Sequence, residues 1–276
     1  MNDFTGRVGV VTGAGNGLGR ALAVALGDQG ASVVVADVEV SAAEETAELV
    51  RTAGGTATAV AVDVSSWPSM QELASRTLEA YGSVDLVCNN AGVSLGAKPV
   101  SDLSLNDWAW TMDVNLWGVI HGIQTFLPIL RSQGSGHLVN TASAGSLSGM
   151  GYAAPYCASK AAVLSLSESL YFELADEGLP IVVSVVLPAA VQTTLSRSEE
   201  RRPAHLRDET TSPGAPSAGE ERLRAVRATG ISPAEAAEQV LQGIREDRFY
   251  IFTHPGFEAR AGRRLADIRA GRGPSI

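Results

Sequence analysis

The 276-residue sequence predicts an α/β fold: a doubly wound parallel sheet with helices on both faces, in a single domain spanning residues 1–276. Three observations carry this. Short runs rich in Val and Ile alternate with longer segments of helical spacing from Arg7 to Leu187, the order expected of repeated βα units. The Val/Ile runs are almost continuously apolar, as strands buried on both faces must be. The length suits one domain of this type and is too short for two, and no internal repeat is visible.

The elements follow in chain order. Strands are expected at Val8–Thr12, Ser32–Ala36, Thr56–Val62, Val84–Asn89, Gly136–Thr141 and Ile181–Leu187. Between them, helical spacing runs over Leu18–Gln29, Ala42–Ala53, Pro68–Tyr81, Leu105–Arg131 and Pro155–Glu177. Residues 194–231 break the pattern, with Pro203, Pro213, Gly214, Pro216 and Gly219 among many charges directly after the sixth strand. Long insertions of this kind are functional lids or mobile loops, so a helical substrate lid is expected there. A last unit follows: helix Pro233–Glu246, a short strand Phe249–Phe252, and a basic C-terminal tail over 257–276 with helical character.

Hydrophobic residues make up 45% and charged residues 18% of the chain, the profile of a globular protein. No apolar run approaches the roughly 18 residues that cross a bilayer, and the short acidic stretch Met1–Gly6 is expected to be no signal peptide. The two cysteines, Cys88 and Cys157, fall in core segments. They read as reduced thiols of a cytoplasmic protein. A net charge of −9 argues against nucleic acid as a partner, and neither a membrane nor a metal site is expected. Fourteen of the nineteen arginines nevertheless lie after Ser196. They suit surface ion pairs and a subunit contact, or an acidic group on a substrate or partner.

Between the first strand and the first helix lies Thr12-Gly13-Ala14-Gly15-Asn16-Gly17-Leu18-Gly19. Gly13 lets the chain turn off the strand, Gly17 lets the backbone approach a pyrophosphate, and Gly19 lets helix and sheet pack closely. The amides that open the helix, through Asn16 and Leu18, favour phosphate. Asp37 ends the second strand about twenty residues on, where a carboxylate accepts both ribose hydroxyls of adenosine and repels a 2′-phosphate. Neither Ala14 nor Val38 is basic. The expected cofactor is therefore NAD(H) rather than NADP(H), on a Rossmann-type domain.

Tyr156 and Lys160 stand one helical turn apart on one face of Pro155–Glu177. Ser143 sits at the end of the preceding strand, at the sheet edge where ligands bind. Together with Asp63-Val64, Asn89-Asn90-Ala91-Gly92, Asn115, Tyr156-Cys157-Ala158-Ser159-Lys160, and Pro188 with Thr193, these residues make the chain resemble a short-chain dehydrogenase/reductase of the classical type over residues 5–195. Singly, each has a structural reading: a core tyrosine, a turn serine, a capping or helix-distorting asparagine.

The resemblance implies a tetrad of Asn115, Ser143, Tyr156 and Lys160. Tyr156 would be the general acid/base, helped by the ammonium of Lys160, which favours the phenolate. Ser143 would hold the substrate oxygen. Lys160 would also bind the nicotinamide ribose, and Asn115 would anchor a relay water. Asp63 and Val64 would contact adenine, and Asn90, Ala91 and Gly92 would line the cleft. Pro188, Val191 and Thr193 would hold the carboxamide end. One departure stands out, since this chain has Pro188-Ala189 where the family usually has Pro-Gly; a methyl there forbids easy positive φ. The sequence has only two lysines, Lys98 and Lys160, and a chain so biased to arginine keeps lysine where a compact ammonium is needed.

The expected reaction interconverts a secondary alcohol and a ketone. The pocket is expected between Ala144–Ala154 and the lid, lined by Leu147, Met150, Tyr152 and Leu95, which suits a hydrophobic small-molecule substrate. Two alternatives stay open: reduction of 3-oxoacyl thioesters, and a non-catalytic scaffold that senses NAD(H). Members of the resembled family assemble as homotetramers through the helices at 105–131 and 155–177, and a homotetramer, or else a homodimer, is expected here.

Overall fold

The computed structural model describes residues 1, 3–208, 219, 221, 225 and 229–275. Among them seven strands form one sheet: β1 Val8–Thr12, β2 Ser32–Asp37, β3 Thr56–Ala61, β4 Leu86–Asn89, β5 Gly136–Thr141, β6 Ile181–Leu187 and β7 Tyr250–Phe252. Their order is β3-β2-β1-β4-β5-β6-β7, and every pairing is parallel. The winding reverses between β1 and β4. The carboxyl ends of those two strands therefore frame the crevice where ligands bind in such sheets.

The helices are α1 Gly17–Asp28, α2 Val40–Thr52, α3 Trp67–Tyr81, α4 Leu105–Met112, α5 Gly118–Gln133, α6 Ala154–Glu177, α7 Pro233–Arg245 and α8 Ala259–Arg269. Successive strand residues point to opposite faces, and each face has its own core. On one, Val10, Val34, Leu138 and Val185 meet Met70 of α3, Phe126 of α5 and Val163 of α6. On the other, Val11, Val35, Val139 and Val186 meet Leu22 of α1, Ala47 of α2 and Leu241 of α7. Both faces are covered, which is why the strands read as unbroken apolar runs.

Some expectations are corrected. The third strand is an edge strand, and only Ala57 and Val60 of it are buried. The fourth strand begins at Leu86 rather than Val84. There the side-chain amide of Gln133 replaces a strand partner, accepting from Val84 N (3.1 Å) and donating to Val84 O (2.6 Å). The helix expected over 105–131 is broken by a π turn at Asp113–Trp117. The chain after β6 forms 3₁₀ turns at Thr194–Arg201 and Ala204–Leu206, and returns where Ile231 pairs with Val191. Of the lid expected over 194–231, residues 209–218, 220, 222–224 and 226–228 lie outside the described residues. None of the described helices is long and apolar enough to cross a membrane.

A buried polar ladder fixes α6 against the sheet. Asn89 Nδ2 of β4 donates to Asn140 Oδ1 of β5 (2.9 Å), and Asn140 Nδ2 donates to Ser167 Oγ of α6 (3.1 Å). Asn89 fits only because Gly122 lies opposite: a Cβ there would stand 2.0 Å from Asn89 Oδ1. Gly122→Ala should therefore push the Asn89 amide off Asn140 and lower unfolding stability by about 1–3 kcal/mol, the usual cost of overpacking. Urea unfolding measures it, and an unchanged midpoint would contradict this account of the ladder.

Candidate active site

The turn from β1 into α1 is glycine by necessity. Gly13 and Gly17 hold φ of 62° and 55°, values that side-chain-bearing residues rarely adopt. At Gly19 an added Cβ would lie 2.2 Å from Gly13 O. The loop is tied down from three sides. Gly15 N donates to Asp37 Oδ2 (2.8 Å), Arg20 Nε donates to Gly15 O (2.9 Å), and Asn90 Nδ2 donates to Thr12 O (2.9 Å). Thr12 Oγ1 accepts from the backbone N of Asn90 (3.0 Å) and Ala91 (3.1 Å). The β4 loop and the glycine loop thus form one rigid mouth at the sheet's switch point.

A cleft of about 310 Å³ opens there. Every residue expected from the sequence to hold the cofactor lines it: Gly13, Asn16, Gly17, Leu18, Gly19, Asp37, Val38, Asp63, Val64, Asn90, Ala91, Gly92, Tyr156, Lys160, Pro188, Val191 and Thr193. At one end stand three carboxylates, of Asp37, Asp63 and Asp113. Burial and the charge of Asp63 push the Asp113 carboxyl above its ordinary range. Asp37 Oδ1 also accepts from Glu39 N (3.0 Å). His121 Nδ1 lies 2.8 Å from Val64 O and steadies that wall. The glycine cradle, a helix N-terminus and the carboxylate at the end of β2 fit a dinucleotide.

At the other end, α6 brings Tyr156 and Lys160 to the carboxyl edge of β5. Lys160 is buried, and its ammonium donates to Thr141 O (2.8 Å) at the strand end. Burial lowers it from the usual lysine range to about 8. Gly92 passes close by, since a Cβ there would meet both Asn115 Oδ1 and Lys160 Nζ, at 3.3 and 3.4 Å.

Asn115 and Ser143 do not line the cleft among the described residues; they stand in its wall. The Asn115 amide is spent on backbone and helix: Oδ1 accepts from Val93 N (2.7 Å), and Nδ2 donates to Val93 O (3.0 Å) and Ser159 Oγ (3.2 Å). Its side chain thus bolts the π turn to the β4 loop and α6. The hydroxyl of Ser143 accepts from Gly145 N (3.0 Å) and makes a long bond to Pro188 O (3.4 Å). That second bond is beyond the ordinary hydroxyl range, so the hydroxyl is free to turn to a better acceptor. Ala189 keeps a negative φ, because positive φ outside glycine occurs only at Tyr152 and Asp247 among the described residues. The loop after Pro188 therefore tolerates its methyl.

None of the four apolar side chains expected around the substrate borders this cleft. Val93, Trp110, Val114, Leu195, Pro203 and Leu206 border the cleft, with Arg201 and His205. Leu147 and Leu95 are buried in the protein, the latter against Val93 and Trp110. Met150 and Tyr152 line a second cavity of about 780 Å³, against α8. Tyr152 takes a left-handed backbone there (φ 65°), and its ring lies against Gly219 of the lid. No residue pattern in α4 or the lid singled out Trp110, Arg201 or Leu206, because their meeting is made by the lid folding back.

The family model described as short chain dehydrogenase matches residues 7–204. A short-chain dehydrogenase/reductase from Burkholderia phymatum, solved in complex with NAD, superposes with a TM-score of 0.95 at 39% identity, covering 100% of this chain and 99% of that one. Among curated proteins, the 1-deoxy-11-beta-hydroxypentalenate dehydrogenase of Streptomyces avermitilis is 34% identical over 94% of this chain and 88% of its own. The cyclohexanol dehydrogenase of an Acinetobacter species is 32% identical over 70% and 76%.

The buried ammonium has a measurable consequence. Between about pH 8, the value of Lys160 in the fold, and roughly 10.4, the value of a free lysine, the unfolded chain holds a proton that the folded chain has lost. Stability therefore rises with pH across that window. Relative to Lys160→Met, the wild type should gain on the order of 2 kcal/mol between about pH 7.5 and 10, read by urea unfolding at each pH. A difference that stays flat would show that the ammonium is not desolvated.

Proposed function

The chain belongs to the short-chain dehydrogenase family, and on that footing we propose that it is an NAD(H)-dependent oxidoreductase interconverting a hydrophobic secondary alcohol and its ketone. One observation carries the reading: a tyrosine and a buried lysine, one helical turn apart, line the same cleft as the glycine loop and Asp37. A dinucleotide laid along that cleft runs from the carboxylate end to the ammonium end.

In this reading the amides at the start of α1, from Gly13 to Gly19, take the pyrophosphate. Asp37 takes the adenosine ribose on the lone pairs that Gly15 and Glu39 leave unused, with Val38 at the rim. Asp63 and Val64 border adenine, Asn90, Ala91 and Gly92 form the floor, and Pro188, Val191 and Thr193 receive the carboxamide end. The preference for NAD over NADP is supported by the aspartates at the adenosine end. The lysine and arginine lining the cleft among the described residues are Lys160 and Arg201, and neither belongs to that end.

Bound NAD supplies the hydride acceptor. The protein does the rest. Lys160 holds the nicotinamide ribose and places a positive charge beneath the Tyr156 phenol. Tyr156, as the phenolate that this charge favours, would take the hydroxyl proton in oxidation, and as the phenol would return it to the ketone oxygen in reverse. Ser143 exchanges its long bond to Pro188 O for the substrate oxygen and fixes it for transfer. Because the Asn115 amide is committed, a relay water would rest on a backbone carbonyl of the π turn, where wider spacing loosens the helical bonding. The apolar wall of Val93, Trp110 and Leu206 suits a carbocyclic body, and one relative is named for cyclohexanol.

The exposed Trp117, Tyr171 and Phe172 on α6 and the turn between α4 and α5 support assembly through these helices as a homotetramer.

Tyr156→Phe should cut kcat for oxidation of cyclohexanol or another active secondary alcohol by about 10²–10⁴-fold while NADH binding, read by fluorescence, persists. Retained turnover would remove the phenol from the mechanism. Asp37→Ala combined with Val38→Arg should move the kcat/KM preference from NAD toward NADP by roughly a hundredfold or more, the worth of a new charge-assisted hydrogen bond together with the removal of a repulsion. Unchanged selectivity would place the adenosine ribose elsewhere.

A further inference from the structure

We propose that the substrate carries a carboxylate at its far end and that Arg201, in the lid, receives it; this rests on the dehydrogenase reading above. Among residues 194–208 the lid has four arginines, Arg197, Arg201, Arg202 and Arg207, and three of them have partners in the protein. Arg197 grips Glu200 through Nε (2.8 Å) and a terminal nitrogen (2.9 Å). Arg202 is 4% exposed and bonds Asp107 Oδ1 (2.6 Å); Lys98 holds the other oxygen of that carboxylate (3.0 Å). Arg207 donates to the carbonyls of Arg202 (2.8 Å) and Glu200 (3.3 Å).

The guanidinium of Arg201 has no hydrogen bond or ion pair with any described residue. Glu200, its neighbour in the chain, is oriented by Arg197 and feels Arg201 only through space. Yet Arg201 lines the cleft that Tyr156 and Lys160 also line. Its backbone is well anchored, because the next residue is the buried Arg202, which is locked to Asp107 and lies over the Trp110 ring at 5.4 Å. The device is a held cation without a counter-charge among the described residues, at the rim of a cavity whose neighbouring walls are Trp110, Leu195 and Leu206.

Such a site takes an amphiphilic anion. The apolar body leaves water against the aromatic and aliphatic walls, and a planar guanidinium meets a carboxylate through two parallel hydrogen bonds. One guanidinium balances the single charge of a carboxylate. A phosphate monoester, with its second charge, would ask for a further cation, and Arg201 is the one arginine lining the cleft among the described residues.

The test uses matched probes with the full-length enzyme and NAD. These are 4-hydroxycyclohexanecarboxylate and the longer 4-(4-hydroxycyclohexyl)butanoate, each against its methyl ester, with 4-hydroxycyclohexyl phosphate as a third arm. In the wild type, kcat/KM for at least one acid should exceed its ester by roughly tenfold to a hundredfold, the span of a charge-assisted hydrogen bond, mostly through KM. In Arg201→Met that ratio should fall to about one, and Arg201→Lys should restore part of it. A wild-type ratio near one, a ratio that survives in Arg201→Met, or a preference for the phosphate overturns the proposal. Titrating the enzyme–NADH complex with the corresponding oxo acids and oxo esters separates the two readings. Acid-selective binding that Arg201→Met abolishes, without turnover of any probe, sustains the carboxylate site and sinks the dehydrogenase reading. Ester turnover without acid preference does the reverse.

Discussion

Lys160 places an ammonium at the end of a parallel sheet with the carbonyl of Thr141 to receive it, and the arrangement of the cleft follows from that constraint. Moving a charge away from water is unfavourable unless it is hydrogen-bonded. Strand-end carbonyls supply part of the compensation, and the strands here all end at the same edge. The remaining donors of the ammonium suit partners at the cleft. A ribose hydroxyl and a phenol are groups of the right size and polarity, and in the proposed function one buried lysine would couple a cofactor to a proton-transfer group.

The rest of the architecture holds that lysine where both can reach it. The ladder Asn89–Asn140–Ser167 locks α6 to the two central strands. Asn115, through Val93 and Ser159, locks the π turn and the β4 loop to the same helix. Gly92 lets the β4 loop pass between Asn115 and Lys160 with no side chain in the way. On the opposite side of the switch point, Asp37 and Asn90 hold the glycine loop. Two rigid lips therefore face each other, one acidic and one carrying the ammonium.

Much of this was legible in the sequence because the signals are local. A glycine loop between a strand and a helix, an aspartate at the next strand's end, and a Tyr and Lys four apart each fix their own geometry within one βα unit. The reading failed where geometry is made by distant pieces. Met150 and Tyr152 lie close to Tyr156 in the chain, yet they line a second cavity with residues of α8. Trp110, Leu206 and Arg201 come from an α-helix and a lid that meet only in the folded state. For Asn115 the side-chain amide also makes a structural cross-link, to Val93 and Ser159, that the sequence did not announce. The π turn around it leaves no pattern in apolar spacing.

The central claim is that the Lys160 ammonium bridges the bound dinucleotide and the Tyr156 phenol. A crystal structure of the enzyme with NAD bound tests it most directly. The account predicts Lys160 Nζ within hydrogen-bond reach of the nicotinamide ribose, with the Tyr156 hydroxyl facing the carbon that exchanges hydride. A dinucleotide whose ribose lies away from Lys160, with the ammonium still bonded to Thr141 O and to nothing of the cofactor, would contradict it.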